Sequence, residues 1–196
     1  MDIELIFGVS ALVVNLIGYV PYFRGIFRGE VKPQRITWGI WTILTSIAFV
    51  NQVANGGGWS SLFFGSTTLL VVLVFLSSFK YGVGGKSKLD IGVLIAATVL
   101  LVAWIITKNT TTSTYIAIAI DAIGALPTII KAYKQPETEA YLQWFMAALA
   151  GMFSFLAVGG SGFVLYAYPL YVIIFNALIV ASKKAGHMRA AKNTVI

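Results

Sequence analysis

The sequence predicts an all-α integral membrane protein: seven transmembrane helices, arranged as two parallel three-helix repeats joined by a linker helix, N-out and C-in. Three observations lead there. The 196 residues are 58 % hydrophobic and only 11 % charged, where an average soluble domain is roughly 45–50 % apolar and about 25 % charged. Apolar runs of about the length that spans a bilayer core alternate with short polar breaks. The basic residues fall in every second break, as expected when one side of the membrane collects Lys and Arg. This composition excludes a disordered chain, a basic nucleic-acid-binding domain and most soluble enzymes, so the net charge of +7 is read as topology and no nucleic-acid partner is expected.

The spans read in order as 5–24, 36–54, 60–79, 91–107, 114–133, 140–158 and 163–182. The start, Met1-Asp2-Ile3-Glu4, is acidic, whereas a secretory signal opens basic; the first run is therefore expected to be a retained span. The first connection carries Arg24, Arg28, Lys32 and Arg35, the third Lys80, Lys86 and Lys88, the fifth Lys131 and Lys134, and the tail Lys183, Lys184, Arg189 and Lys192. Of the 14 Lys and Arg residues only Lys108 falls on the other side. The basic side is cytoplasmic by the positive-inside rule, and a miscounted span would scramble the alternation.

An internal repeat runs at an offset of 106. Asn15 to Pro21 parallels Asp121 to Pro127, Ala11 meets Ala117, Trp38 meets Trp144, Phe49 meets Phe155 and Arg28 meets Lys134. A two-residue gap in the outer turn then pairs Gly65 with Pro169. The expected divisions are a first three-helix repeat (1–83), a linker helix (84–110), a second repeat (111–185) and a polar cytoplasmic tail (186–196). Three spans reverse the chain, so the intervening fourth span keeps the two repeats parallel, and carriers usually place their sites where repeats meet.

Few residues carry candidate chemistry. Asp121 is the only acidic residue read as lying well inside a span, where a carboxylate costs about 2.5–3.5 kcal/mol on insertion scales; it is expected to bind substrate or carry a proton. Its repeat mate is Asn15. The stripes Ala117, Asp121, Gly124, Thr128 and Ala11, Asn15, Gly18, Tyr22 follow helical spacing, and small residues at such spacing permit close helix approach or leave room for a ligand. Asn51 and Asn176 are further candidates for substrate contact, as are Trp38 and Trp144, which aromatic belts also explain. Gln52 and Gln143 read as interhelical hydrogen-bonding residues. Pro21 and Pro127 remove a helix hydrogen bond and are expected hinges. Zero cysteines and a single histidine, His187, leave no thiolate or histidine-cluster metal site. No phosphate loop, His-Glu-x-x-His or Gly-x-Ser-x-Gly pattern is present, so no metal, no cofactor and no enzymatic activity are expected.

A three-helix unit with a late proline in its first span, duplicated around a linker helix, resembles the SWEET/PQ-loop transporter superfamily, which includes the single-repeat SemiSWEETs; the nicotinamide riboside transporters share the seven-span plan. The resemblance covers nearly the whole chain. The family's Pro-Gln pair falls at Pro21-Tyr22 and Pro127-Thr128, where only the prolines match, and the literal Pro33-Gln34 is read in a loop. The SemiSWEET sugar-contacting Asn and Trp fall near Gly65 and Pro169 and near Val50 and Leu156, so both signatures are absent. Trp38-Gly39-Ile40-Trp41 is similar to the Trp-x-x-Trp of the nicotinamide riboside carriers. The stretch Lys32 to Trp38 is similar to small bacterial membrane proteins with Lys-Pro-x-Arg-x-Thr-Trp. The resemblance implies transport of a small polar metabolite (a sugar, amino acid or vitamin-like compound) by alternating access between two three-helix bundles, with Asn15, Asp121, Asn51, Asn176, Trp38 and Trp144 as binding residues. A receptor that binds a ligand on the same fold without moving it is the alternative. One chain holds both repeats, so a monomer suffices and a homodimer stays open; lipids are the other partners, and the short loops point to a prokaryotic cytoplasmic (inner) membrane.

Overall fold

The computed structural model describes residues 3–54, 58–107, 110–157 and 163–194. They form α1 (Ile3–Phe27), α2 (Arg35–Ala54), α3 (Gly58–Tyr81), α4 (Lys88–Ile106), α5 (Thr110–Lys134), a 3-10 turn (Pro136–Thr138), α6 (Tyr141–Leu156) and α7 (Phe163–Thr194). The protein is therefore all-α and multi-pass in character. Leu5–Phe27, Lys88–Ile106, Tyr115–Lys134 and Pro169–Lys192 are long and apolar enough to cross a membrane. Gly65–Tyr81 and Tyr141–Leu156 are apolar but shorter; the 16 residues of α6 rise about 24 Å, against a core of about 30 Å. Much of α4 turns apolar side chains outward, among them Leu94, Ile95, Val99, Val102 and Ile105, as a helix does when lipid is its solvent.

The chain packs as two compact units: Met1–Lys32 with Thr128–Ile196 (unit 1), and Pro33–Pro127 (unit 2). This division differs from that of the sequence repeat. In unit 1, α1 packs on α6 and α6 on α7; in unit 2, α2 packs on α3 and α4. The first helix of each repeat is thus housed with the second and third helices of the other. The chain passes between units twice, at Lys32/Pro33 and, inside α5, at Pro127/Thr128.

The repeat reappears as paired contacts within each unit. In unit 1 a Cβ on Gly18 would lie 2.9 Å from both the Gln143 amide oxygen and Met146 Cβ. In unit 2 a Cβ on Gly124 would lie 2.9 Å from Ile40 Cγ2, and Thr37 Oγ1 donates to the Gly124 carbonyl at 2.6 Å. Gly18 and Gly124, Met146 and Ile40, and Gln143 and Thr37 are each mates at the offset of 106. Between second and third helices, Thr68 Oγ1 donates to the Thr45 carbonyl at 2.9 Å. The mates of that pair also meet, since a Cβ on Gly151 would sit 3.0 Å from Val172. Small residues let the backbones approach, which is why the repeat shows more clearly in the contacts than in the sequence identity.

Two features extend the sequence reading. The polar tail from 186 onward is a continuation of α7 through Thr194, with Arg189 stacked over Tyr133 at 4.6 Å. Pro33-Gln34 lies in the connection ahead of α2, as read, and is tied down there. Val83 N donates to the Pro33 carbonyl and Arg35 N to the Val83 carbonyl, at 2.9 and 2.8 Å. Gln34 Oε1 accepts from Ile36 N and Thr37 N and so caps α2. Its Nε2 donates to Asp90 Oδ1 at 2.7 Å, while Asp90 and Ser87 form the capping box of α4. One amide thereby joins two helix N-termini, each of which favours an acceptor. Gly84, at a φ of +86°, makes the turn that brings α4 back to Gln34.

Candidate functional site

In unit 2, α5 lays Asp121 against α2. Trp41 Nε1 donates to Asp121 Oδ1, and one helical turn away Thr37 holds the Gly124 carbonyl. Trp38 stands edge-on to Trp41, with ring centroids 5.0 Å apart. Asp121, Trp38, Trp41 and Thr37 are all buried. Beside them Ile40 and Ile120 join Val93 and Ala97 of α4 in an apolar cluster. A cleft of about 30 Å³ between Leu44, Ala97, Thr98 and Ile120 has room for about one water. Neither Asp121 nor Trp41 lines that cleft; the α2–α5 seam holds them beside it as a buried carboxylate that accepts from an indole. Such a pair can accept a proton or hold a cationic or hydrogen-bonding group, but one carboxylate cannot act as a two-carboxylate acid–base pair.

Unit 1 has its own buried carboxylate. Trp144 Nε1 donates to Glu139 Oε2 at 2.9 Å, and Glu139 Oε1 pairs with Lys131 Nζ at 2.6 Å, with side-chain exposures of 0 % and 6 %. Tyr22 meets Trp144 edge-on at 6.1 Å. Asp121 is thus not the only buried acid: Asp90 and Glu139 are as deeply enclosed, at 4 % and 3 %. Sequence reading passed over both because they sit at helix ends, where a carboxylate reads as solvated. The signal that could have found Glu139 is a basic residue eight positions earlier, across a proline-containing break.

The remaining candidates separate. Asn15 is partly buried on α1 in unit 1, whereas its mate Asp121 belongs to unit 2. Asn176 is buried, and its Nδ2 donates to the Val172 carbonyl of its own helix at 2.8 Å. Asn51 lies on α2, but its side chain falls outside the described residues, as does that of Gln52. Pro21 lies within α1 and Pro127 within α5, and Pro127 is the residue at which α5 leaves unit 2. Gln143 is 2 % exposed, and its Oε1 has no hydrogen-bond partner among the described residues.

No protein-family model, no curated protein and no solved structure matches the chain. Among the described residues no group of three or more His, Cys, Asp or Glu side chains comes together in a way that could hold a metal ion.

Proposed function

We propose that the chain is a membrane carrier of the SWEET/PQ-loop kind that moves a small polar metabolite by alternating access. The observation that carries this reading is the buried Asp121–Trp41 pair, with Asp121 inside a helix, Tyr115–Lys134, that is long and apolar enough for lipid. A carboxylate there is costly to insert and marks a substrate or proton route by default. The duplicated helix order supports the reading, as does a proline within the first helix of each repeat, because carriers need elements with two arrangements. Asp121 would contact an ammonium, amide or hydroxyl group of the substrate, or carry the coupled proton, with Trp41 setting the orientation of the carboxylate. Asn15, Asn51, Asn176, Trp38 and Trp144 complete the proposed set of binding residues, with Pro21 and Pro127 as its hinges, in a prokaryotic cytoplasmic membrane with the N-terminus outside.

The test is uptake into sealed proteoliposomes from a defined mixture of hexoses, amino acids and nucleosides, read by mass spectrometry. Accumulation of one class that Asp121→Asn abolishes supports the proposal, since Asn still accepts the indole hydrogen bond. Uptake and pH dependence unchanged in Asp121→Asn would remove Asp121 from the mechanism. Saturable binding with no accumulation in the vesicles would make the protein a receptor.

A further inference from the structure

Gln143 of α6 keeps a buried acceptor without a donor. The residue is 2 % exposed, and its Oε1 takes no hydrogen bond among the described residues. That oxygen stands against Gly18 of α1, where an added Cβ would lie 2.9 Å from it; a glycine Cα–H is at best a weak donor. Its mate at the offset of 106, Thr37, does the reverse and turns a donor onto the Gly124 carbonyl at 2.6 Å. An enclosed acceptor that lacks a donor is a net cost to folding, so its presence in a native fold asks for a use.

Unit 1 gathers rings and amides around this group. Trp144, the next residue, meets Tyr22 of α1 edge-on at 6.1 Å and Phe175 of α7 at 6.4 Å. Asn176 follows Phe175, with one amide N–H spent on the Val172 carbonyl. Asn15 lies three residues before Gly18 on α1. From these contacts and the helical rise, the amides of Asn15, Gln143 and Asn176 lie within about one turn of each other along the helix axes. All belong to unit 1. The adjoining charges are engaged, since Glu139 accepts from Trp144 Nε1 and pairs with Lys131. What Gln143 lacks is therefore an O–H or N–H donor, beside rings that offer an apolar face.

We propose that Gln143 is a specificity residue of the ligand site, its Oε1 accepting from a hydroxyl or N–H group of the ligand beside Tyr22, Trp144 and Phe175. This deepens the carrier reading and rests on it for Asn15, Asn176 and Trp144 as ligand contacts. The class of ligand is one that joins a hydrogen-bond donor to a face on which rings can pack. A site built to bond such a donor rejects an analogue that lacks it, because the oxygen then stays unpaired. The oxygen is enclosed in this state, so ligand entry requires the α1–α6 contact at Gly18 to part.

The test is binding to the whole chain in detergent, for wild type, Gln143→Leu and the near-isosteric Gln143→Met. Affinity is read from the dependence of melting temperature on ligand concentration. The probes are single hexoses, amino acids and nucleosides, then deoxy, O-methyl and N-methyl derivatives of each compound that stabilises wild type. Without ligand both variants are expected to melt no lower than wild type, because no hydrogen bond is lost. They are expected to bind the stabilising compound about 10- to 100-fold more weakly. The derivative that has lost the donor read by Gln143 is expected to bind wild type just as weakly, with no further loss in the variants. Variants that melt below wild type would mean that the oxygen is bonded within the fold, and would overturn the assignment. So would a wild type that no probe stabilises, or variants that rank the derivatives as wild type does. Binding as expected but without accumulation in proteoliposomes would remove the carrier reading and leave Gln143 as a ligand contact.

Discussion

The two units answer the same packing problem with different polar chemistry. Each seats the first helix of one repeat on the second helix of the other, at a glycine: Gly18 beside Gln143 and Met146 in unit 1, Gly124 beside Thr37 and Ile40 in unit 2. Each buries a carboxylate that accepts an indole N–H. In unit 1 the carboxylate is Glu139, at a helix end and neutralised by Lys131; in unit 2 it is Asp121, inside a helix and held by Trp41. An ion pair at a helix end has a structural use, whereas a carboxylate in the body of an apolar helix has little structural justification. On the proposed reading the first is structural and the second is the functional group.

The sharpest way to break this contrast is to remove one charge from each unit. Glu139→Gln leaves a buried ammonium without its counter-charge and should cost about 3–5 kcal/mol in a denaturation series. Asp121→Asn retains an acceptor for Trp41 and should change stability by less than about 1 kcal/mol while removing transport. Equal losses in both would show that the two carboxylates do the same work.

A second comparison uses the glycines. A Cβ on Gly18 would meet Met146 Cβ at 2.9 Å, whereas one on Gly124 would meet the Ile40 Cγ2 methyl at 2.9 Å and Ile40 Cβ only at 3.3 Å. Gly18→Ala should cost about 1–3 kcal/mol through overpacking, and Gly124→Ala less, because the atom met there is a methyl one bond further from its backbone. Melting of the two variants side by side decides it; a larger loss in Gly124→Ala would break the contrast.

The smallest effect concerns the mates Thr37 and Gln143. Thr37→Val deletes the hydrogen bond to Gly124 and should lose about 0.6 kcal/mol, the usual value between membrane helices. Gln143→Leu removes a buried carbonyl oxygen that has no partner among the described residues and should be neutral or slightly stabilising. A loss in Gln143→Leu as large as that in Thr37→Val would mean that the amide makes a bond equivalent to that of Thr37.

Much of the fold was legible in the sequence because hydropathy and helical length are local properties. The helix positions, the late prolines and the offset of 106 could all be read from single residues and their spacing. Asp121 was legible as well, since an acid in an apolar run stands out. Its partner Trp41 was not, because an indole near a helix end has a ready explanation in interfacial anchoring. Glu139 and Asp90 were missed for a related reason: burial at a helix end comes from neighbouring segments, and Gln34 reaches Asp90 across 56 residues.

The sequence by itself determined that this is a multi-pass helical protein with a duplicated helix plan and one acid deep in an apolar run. These follow from composition and period, which every residue expresses wherever it finally packs. Only the tertiary structure decided which helices share a unit, because either repeat's first helix offers a small-residue face that fits the second helix of the other. It alone also showed that Lys131, read as a marker of topology, is enclosed with Glu139 where the chain passes between units; the charge can be read from the sequence, but what surrounds it cannot.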